Sequence, residues 1–303
     1  MLVAKRKLIT DNLVHTLFLI LTILCSLSIV LIVGIIVVKG TRPFLVPYGD
    51  GVRANLISFL FSLNYIQGVY GVLGIAINTV VIVFFAALIA LPISVLTALF
   101  VVRIAPKVLG NAIQIVVELL AAVPSIIFGL FGMGVINPIV RDLALLFGFQ
   151  TAGGVSTLSV ILVLVIMILP TITTLAITSM RAVREEQIHA SLALGATMTQ
   201  TNFKVVVFGA KSGIIAALIL GVGRALGEAT AVSMVCGGAT SVSLGLFSPT
   251  STITSKMLQG IHESSGLNYD IRFSLGIVLI VIILVSNALL NLLKKRISRH
   301  EEV

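Results

Sequence analysis

This sequence predicts an all-α, polytopic membrane protein with six transmembrane helices. Three observations carry the prediction. Of 303 residues, 58% are hydrophobic and only 10% charged, against about a quarter charged in an ordinary soluble domain. Six apolar runs reach the length of about 20 residues that a bilayer core demands of a helix. The basic residues gather at the ends of those runs. A soluble fold of this composition would expose too much apolar surface to stay dispersed, and disordered chains are poor in apolar residues. Two cysteines, Cys25 and Cys236, are too few for a disulfide scaffold, and neither has a metal-ligand neighbour at useful spacing. A net charge of +9 would suggest nucleic acid on a soluble domain. Here the bases mark span ends, so the lipid bilayer is the expected partner and nucleic acid is not.

The spans run in order. Val14–Val38 follows Lys5, Arg6 and Lys7. It is too long for a signal-peptide core and no A-x-A site follows it, so it reads as a retained anchor. Asn78–Val102, Leu109–Met133, Thr157–Ile177, Gly213–Val235 and Ser274–Leu293 complete the set. With the N-terminus in the cytoplasm, thirteen of the 20 Lys and Arg fall on inner segments, six on outer loops, and Arg224 within a span. Both termini are therefore expected on the cytoplasmic side of a cell membrane. The organisation follows: residues 1–70 hold a tail, the first span and an outer loop; 71–293 form a five-helix core with an inner segment at 179–211; 294–303 form a cytoplasmic tail. The outer loops Lys39–Gly71 and Gly237–Phe273 are rich in Gly, Ser, Thr and Asn.

The inner segment opens with helix formers and runs into His189-Ala-Ser-Leu-Ala-Leu-Gly195-Ala196. Gly195 is a helix stop, which predicts a helix-Gly-helix hairpin. Composition alone leaves two readings open, a docking element for another protein or a solvated connection.

Three charged side chains fall inside the spans: Glu118, Arg224 and Glu228. Such residues face a cavity or a partner. Arg224 and Glu228 are four apart and share a face of a continuous helix. A structural ion pair and a substrate or gating role both fit. Gly223 and Gly227 form a small-xxx-small pair that permits close helix approach. Pro92, Pro124 and Pro170 lie within spans and each removes a backbone donor. Carbonyls freed at Pro124-Ser125 either line a path or mark a packing kink. No phosphate-cradling G-x-x-x-x-G-K-[ST] loop exists. His15, His189, His262 and His300 are scattered, and no Ser/His/Asp set shares one depth. No catalytic residue, metal ligand or enzyme activity is expected of this chain.

Two segments together resemble a known family. Residues His189–Ala196, continuing to Val207, are similar to the EAA loop of binding-protein-dependent ABC importer permeases, E-A-A-x-x-x-G-A followed by Leu-Pro. Ala190, Gly195 and Ala196 are kept; His189 replaces Glu, Ser191 replaces Ala, and Val207-Phe208 replaces Leu-Pro. Gly223-Arg-Ala-Leu-Gly-Glu-Ala-Thr-Ala-Val232 resembles the G-R-A-x-G-E-T-x-A-V signature of phosphate permeases. Glu118-Leu-Leu-Ala-Ala-Val-Pro-Ser125-Ile-Ile-Phe-Gly129 is similar to their E-L-L-A-G-I-P-S-V-V-Y-G segment. The likeness covers residues 10–295 and is stronger to the PstC type than to its PstA-type partner.

The resemblance implies a type I ABC importer permease (MetI-like) fold. It implies pairing with a PstA-type permease, a separate ABC ATPase dimer carrying ATP and magnesium, an extracytoplasmic phosphate-binding protein, and no cofactor on this chain. It implies that His189, Ala190, Gly195 and Ala196 form the ATPase-coupling helix. Inorganic phosphate would pass Arg224, Glu228, Glu118 and Ser125. An arginine fork matches phosphate oxygens. Glu228 is expected to hold Arg224 and to accept a hydrogen bond from protonated phosphate, a bond that sulfate cannot offer. The alternatives are a permease for sulfate or molybdate, and an ion-coupled secondary carrier. The carrier needs inverted repeats, and none is visible.

Overall fold

The computed structural model describes residues 2–49, 53–243 and 245–298, with side chains from Val14 to Arg296. The side chains of Lys5, Arg6 and Lys7, and the whole of Arg299, lie outside the described residues. Among the described residues the architecture is helical, and an isolated β-bridge joins Gly237 to Thr250.

The long helix α1 (Leu2–Leu45) leads into α2 (Leu56–Phe61) and α3 (Leu73–Leu99), which ends in a π-helical turn at Phe100–Ile104. Asn55 starts α2 by accepting from the Ile57 N–H at 2.9 Å, the short polar cap that N-termini favour. Next comes α4 (Lys107–Ala121), then α5 (Ser125–Phe131), a π turn at Gly132–Ile136, and α6 (Asn137–Leu146). The third span departs from expectation here. The expected Leu109–Met133 run breaks before Pro124, which has no N–H and disfavours helical backbone at Val123. The stretch long and apolar enough to cross is Ser125–Leu146, and α4 precedes it as a separate helix. Pro92 and Pro170, by contrast, sit inside continuous helices.

At the centre is α7 (Thr157–Arg181), begun by the Ser156 hydroxyl accepting from Ser159 N–H. Its Val160, Leu164, Met167, Ile168, Ile172 and Ala176 are fully buried, with α3 on one side and α10 (Lys211–Gly227) on another. Between α7 and α10 lie α8 (Glu185–Ala193), α9 (Met198–Thr201) and a π turn at Asn202–Val207. The segment Met198–Val207 meets α10 at a 62° bend; taken as one span, the pair is a sixth stretch long and apolar enough to cross a membrane, beside the five unbroken ones. The chain closes with α11 (Thr230–Val235), α12 (Ile253–Leu258) and α13 (Leu267–Ser298).

On the rim, α1 rests on α13, where the Ser274 hydroxyl donates to Gly40 O at 2.6 Å. A β-carbon at Gly40 would meet Phe273 O at 2.8 Å, so only glycine allows that approach. Close approach of α10 to α7 depends on Gly221, whose added β-carbon would lie 2.8 Å from the Ile172 side chain. The expected pair Gly223 and Gly227 does not serve this purpose within the chain, because nothing lies within 4 Å of a β-carbon at either. Gly221→Val should therefore overpack the α7–α10 seam and destabilise by about 1–3 kcal/mol, read as a lowered melting temperature in detergent. Gly223→Ala should melt no lower than the parent.

The segment after α11 is more ordered than its Ser/Thr-rich composition suggests. Thr250 to Lys256 are all buried. Thr252 caps α12 reciprocally with Ser255. Thr79 on α3 accepts from Ile253 N–H at 3.0 Å, and Asn78 binds the backbone of Ser241 and Ser243. Polar side chains from the first turns of α3 thus hold this segment inside the protein.

Candidate functional site: a cleft around Arg224 and a helix-Gly-helix hairpin

A cleft of about 800 Å³ opens between α7, α10 and α13, lined among others by Thr171, Ser179, Gly223, Arg224 and Asn287. Its walls are mostly apolar, and Arg224 brings the charge. Arg224 projects from the last turn of α10, where its cation also complements the helix C-terminus. Its Nη1 donates to the Thr171 hydroxyl at 2.8 Å. A guanidinium carries five N–H donors, so this anchor fixes the fork and leaves donors for a ligand. Asn287 on α13 lines the same cleft, and its buried side-chain oxygen has no hydrogen-bond partner among the described residues.

Glu228 is placed differently from expectation. It ends α10 in extended conformation (φ −74°, ψ 117°), so Arg224 and Glu228 do not share one continuous helix. No ion pair joins them; the three ion pairs among the described residues lie elsewhere. Instead Glu228 Oε1 accepts from Ala231 N–H at 2.9 Å, satisfying a free donor at the start of α11. Its carbonyl accepts from the Thr254 hydroxyl at 2.7 Å. The carboxylate caps the broken helix and does not line the Arg224 cleft, which removes the geometric basis for a Glu228 contact with the same ion. Glu228→Gln keeps the acceptor and should leave stability near that of the parent. Glu228→Ala loses the cap and should destabilise by about 1 kcal/mol, measured by thermal melting.

Glu118 and Ser125 also lie outside the cleft. Glu118 is exposed on α4 rather than within a crossing, and accepts from Gln114 Nε2 at 2.7 Å. Gln114 Oε1 in turn accepts from Arg181 at 2.7 Å, so Glu118 belongs to a polar chain ending at the last residue of α7. Ser125 is half-buried in the first turn of α5. Of the four pathway candidates, Arg224 alone reaches the cleft. Thr171 and Asn287 are the residues that sequence reasoning missed. An amide in the apolar run of α13 was the available signal, since a polar group at that depth needs a partner.

The hairpin forms as expected. After α8, Gly195 adopts φ +85° and turns the chain, a conformation glycine adopts without strain. Thr197 and Gln200 then start α9 with a capping box. Ile188 is buried under the hairpin, while His189 and Ala190 are exposed. Leu194 at the tip is 89% exposed. Arg103 reaches Glu185 at 3.8 Å and ties the hairpin base to the end of the second span.

Five unbroken apolar spans, a bent pair that makes a sixth when taken as one, a cleft with a tethered cation and an ordered hairpin between spans fit a membrane transport permease. The comparisons give the family. Residues 90–301 match the family described as binding-protein-dependent transport system inner membrane component, and the chain belongs to it. Relatives include a phosphate transport system permease protein PstC of Pasteurella multocida, 33% identical across 80% of this chain and 81% of that one. A probable ABC transporter permease protein YqgH of Bacillus subtilis is 34% identical across 90% and 86%. Among solved structures, a bacterial alginate ABC transporter superposes with a TM-score of 0.65 at 16% identity, covering 96% of this chain and 97% of that one. A methionine ABC transporter captured facing inward gives 0.53 at 19% identity, covering 75% and 94%. The fold is that of ABC importer permeases.

Proposed function

We propose that this permease is one of two membrane subunits of an ATP-driven phosphate importer, and that Arg224 contacts the oxyanion as it crosses. The observation that carries the reading is the Arg224 fork, tethered through one nitrogen to Thr171 in an otherwise apolar cleft. An apolar surround strengthens each charge-assisted hydrogen bond it makes. Relatives whose names specify phosphate transport support the choice of ion. Open space over Gly223 and Gly227 suits a second permease of the PstA type, which would close the cleft against lipid. The excess of basic residues on inner segments supports cytoplasmic termini. The hairpin around Leu194 then faces the ATPase, and ATP and magnesium stay on that subunit. The segment 237–273 faces the phosphate-binding protein.

The test is uptake of radiolabelled phosphate by the complex reconstituted in liposomes with ATP. Accumulation that requires the ATPase supports the reading. Uptake driven by an ion gradient without the ATPase would replace it with a secondary carrier, and preference for sulfate or molybdate would replace the ion.

A further inference from the structure

At the outer end of the chain lies a second polar pocket, of about 410 Å³, among the α2–α3 connection, α12 and the first turns of α13. Lys256 and Arg272 face it together with Tyr65, Gln67 and Gln259. Lys256 is only 8% exposed. Its Nζ donates to Gly238 O at 2.9 Å, which leaves two of the three ammonium donors free. Arg272 hydrogen-bonds the carbonyls of Lys256, Met257 and Gln259 and the Ser264 hydroxyl. Its Nε is buried with no partner.

Buried charges ordinarily meet an opposite charge. Here two cations meet each other. Burial lowers the pKa of Lys256; Cys236 partly offsets that shift, and repulsion from Arg272 adds to it. No carboxylate lies within ion-pair distance of either among the described residues; Glu263, the acid on the lining, is exposed at the rim. Burial pushes the Tyr65 phenol up to about 12, so its hydroxyl stays a donor at working pH. The pocket is rich in donors and short of negative charge.

Its position is equally specific. Arg272 and Asn287 stand on the same helix, fifteen residues apart, about 22 Å along the axis. The first turns of α13 therefore contribute to this pocket, and a position further along the same helix contributes to the Arg224 cleft. We propose that the Lys256–Arg272 pocket is an outer loading site, which holds one small tetrahedral oxyanion before it enters the Arg224 cleft. The inference rests on the oxyanion-importer reading and adds a first station to its path. An anion between the two cations turns their repulsion into attraction, and a tetrahedral ion has oxygens enough for Lys256 Nζ and the Tyr65 hydroxyl together. The same chemistry is available from a carboxylate of the docked binding protein, so the test separates free ion from side chain.

The experiment uses the whole permease–ATPase complex in lipid nanodiscs without the binding protein. Equilibrium binding of radiolabelled orthophosphate is measured there, and uptake is measured on the same proteins in liposomes with the binding protein present. Lys256→Gln keeps a donor for Gly238 O and removes the charge; Tyr65→Phe removes a donor without touching charge. The expected result is orthophosphate binding by the parent complex, weakened at least tenfold by Lys256→Gln and severalfold by Tyr65→Phe. Arg224→Gln should lose uptake yet retain this outer binding. If the parent imports phosphate but Lys256→Gln and Tyr65→Phe both bind and import it as the parent does, the loading site is refuted. The same holds if the parent imports phosphate, nanodiscs without the binding protein bind none, and Lys256→Gln weakens only binding-protein docking, since the pocket then takes a side chain. A parent complex that neither binds nor imports phosphate overturns the importer reading itself.

Discussion

Arg224→Gln should reduce phosphate uptake by about tenfold to a hundredfold while leaving the folded complex intact. The magnitude follows from losing hydrogen bonds to a charged ligand, about 1.5–3 kcal/mol, in a cleft whose walls are largely apolar. The fold should tolerate the change because α10 meets α7 at Gly221 and gives Ala217, Ala225 and Leu226 to the buried core, whereas Arg224 is only half-buried. Arg224→Lys separates charge from geometry. A lysine keeps the positive charge but cannot offer two parallel donors, so uptake should fall between the parent and Arg224→Gln. Thr171→Val removes the anchor on Nη1 and should lower uptake less than either, by freeing a fork that remains present. Membrane level and melting temperature, measured alongside, distinguish lost transport from lost protein.

The second large effect is expected at the hairpin tip. Leu194 is 89% exposed, and burying such a side chain against a partner contributes about 1.5–3 kcal/mol. Leu194→Asp would forfeit that burial and force a carboxylate out of water, so co-purification of the ATPase should drop more than tenfold. ATP-driven uptake should be lost with it. The permease itself should melt as before, because Leu194 adds almost nothing to the core of this chain. Leu194→Met, similar in volume and apolar, should retain both readouts.

The sequence signalled these two regions unequally. Hydropathy located the crossings because an apolar run of that length has few other fates. Gly195 announced the hairpin because a left-handed turn after a helix favours glycine. Pro124 carried enough information to end a helix at Val123, but the continuous apolar run on both sides masked it, and the third crossing shifted to Ser125–Leu146. The break at Glu228 was less legible. Four-residue spacing implied one helix face, whereas the Glu228 carboxylate binds the Ala231 N–H and Thr254 binds the Glu228 carbonyl. That second bond crosses 26 residues and leaves no local trace. The burial of Thr250 to Lys256 is hidden for the same reason, since bonds from Asn78 and Thr79 on α3 hold a segment whose composition reads as a loop. Pairing Arg224 with Thr171 and Asn287 required knowing that α7, α10 and α13 meet, which periodicity within one helix does not reveal.

The most direct test of the central claim compares ATP-dependent uptake of radiolabelled phosphate by the reconstituted parent complex and by Arg224→Gln at matched protein and ATPase content. The account predicts strong accumulation by the parent and, in the variant, uptake at least tenfold lower with the assembled complex preserved. Uptake by Arg224→Gln equal to that of the parent, in an intact and ATP-hydrolysing complex, would contradict the assignment of Arg224 as the oxyanion contact.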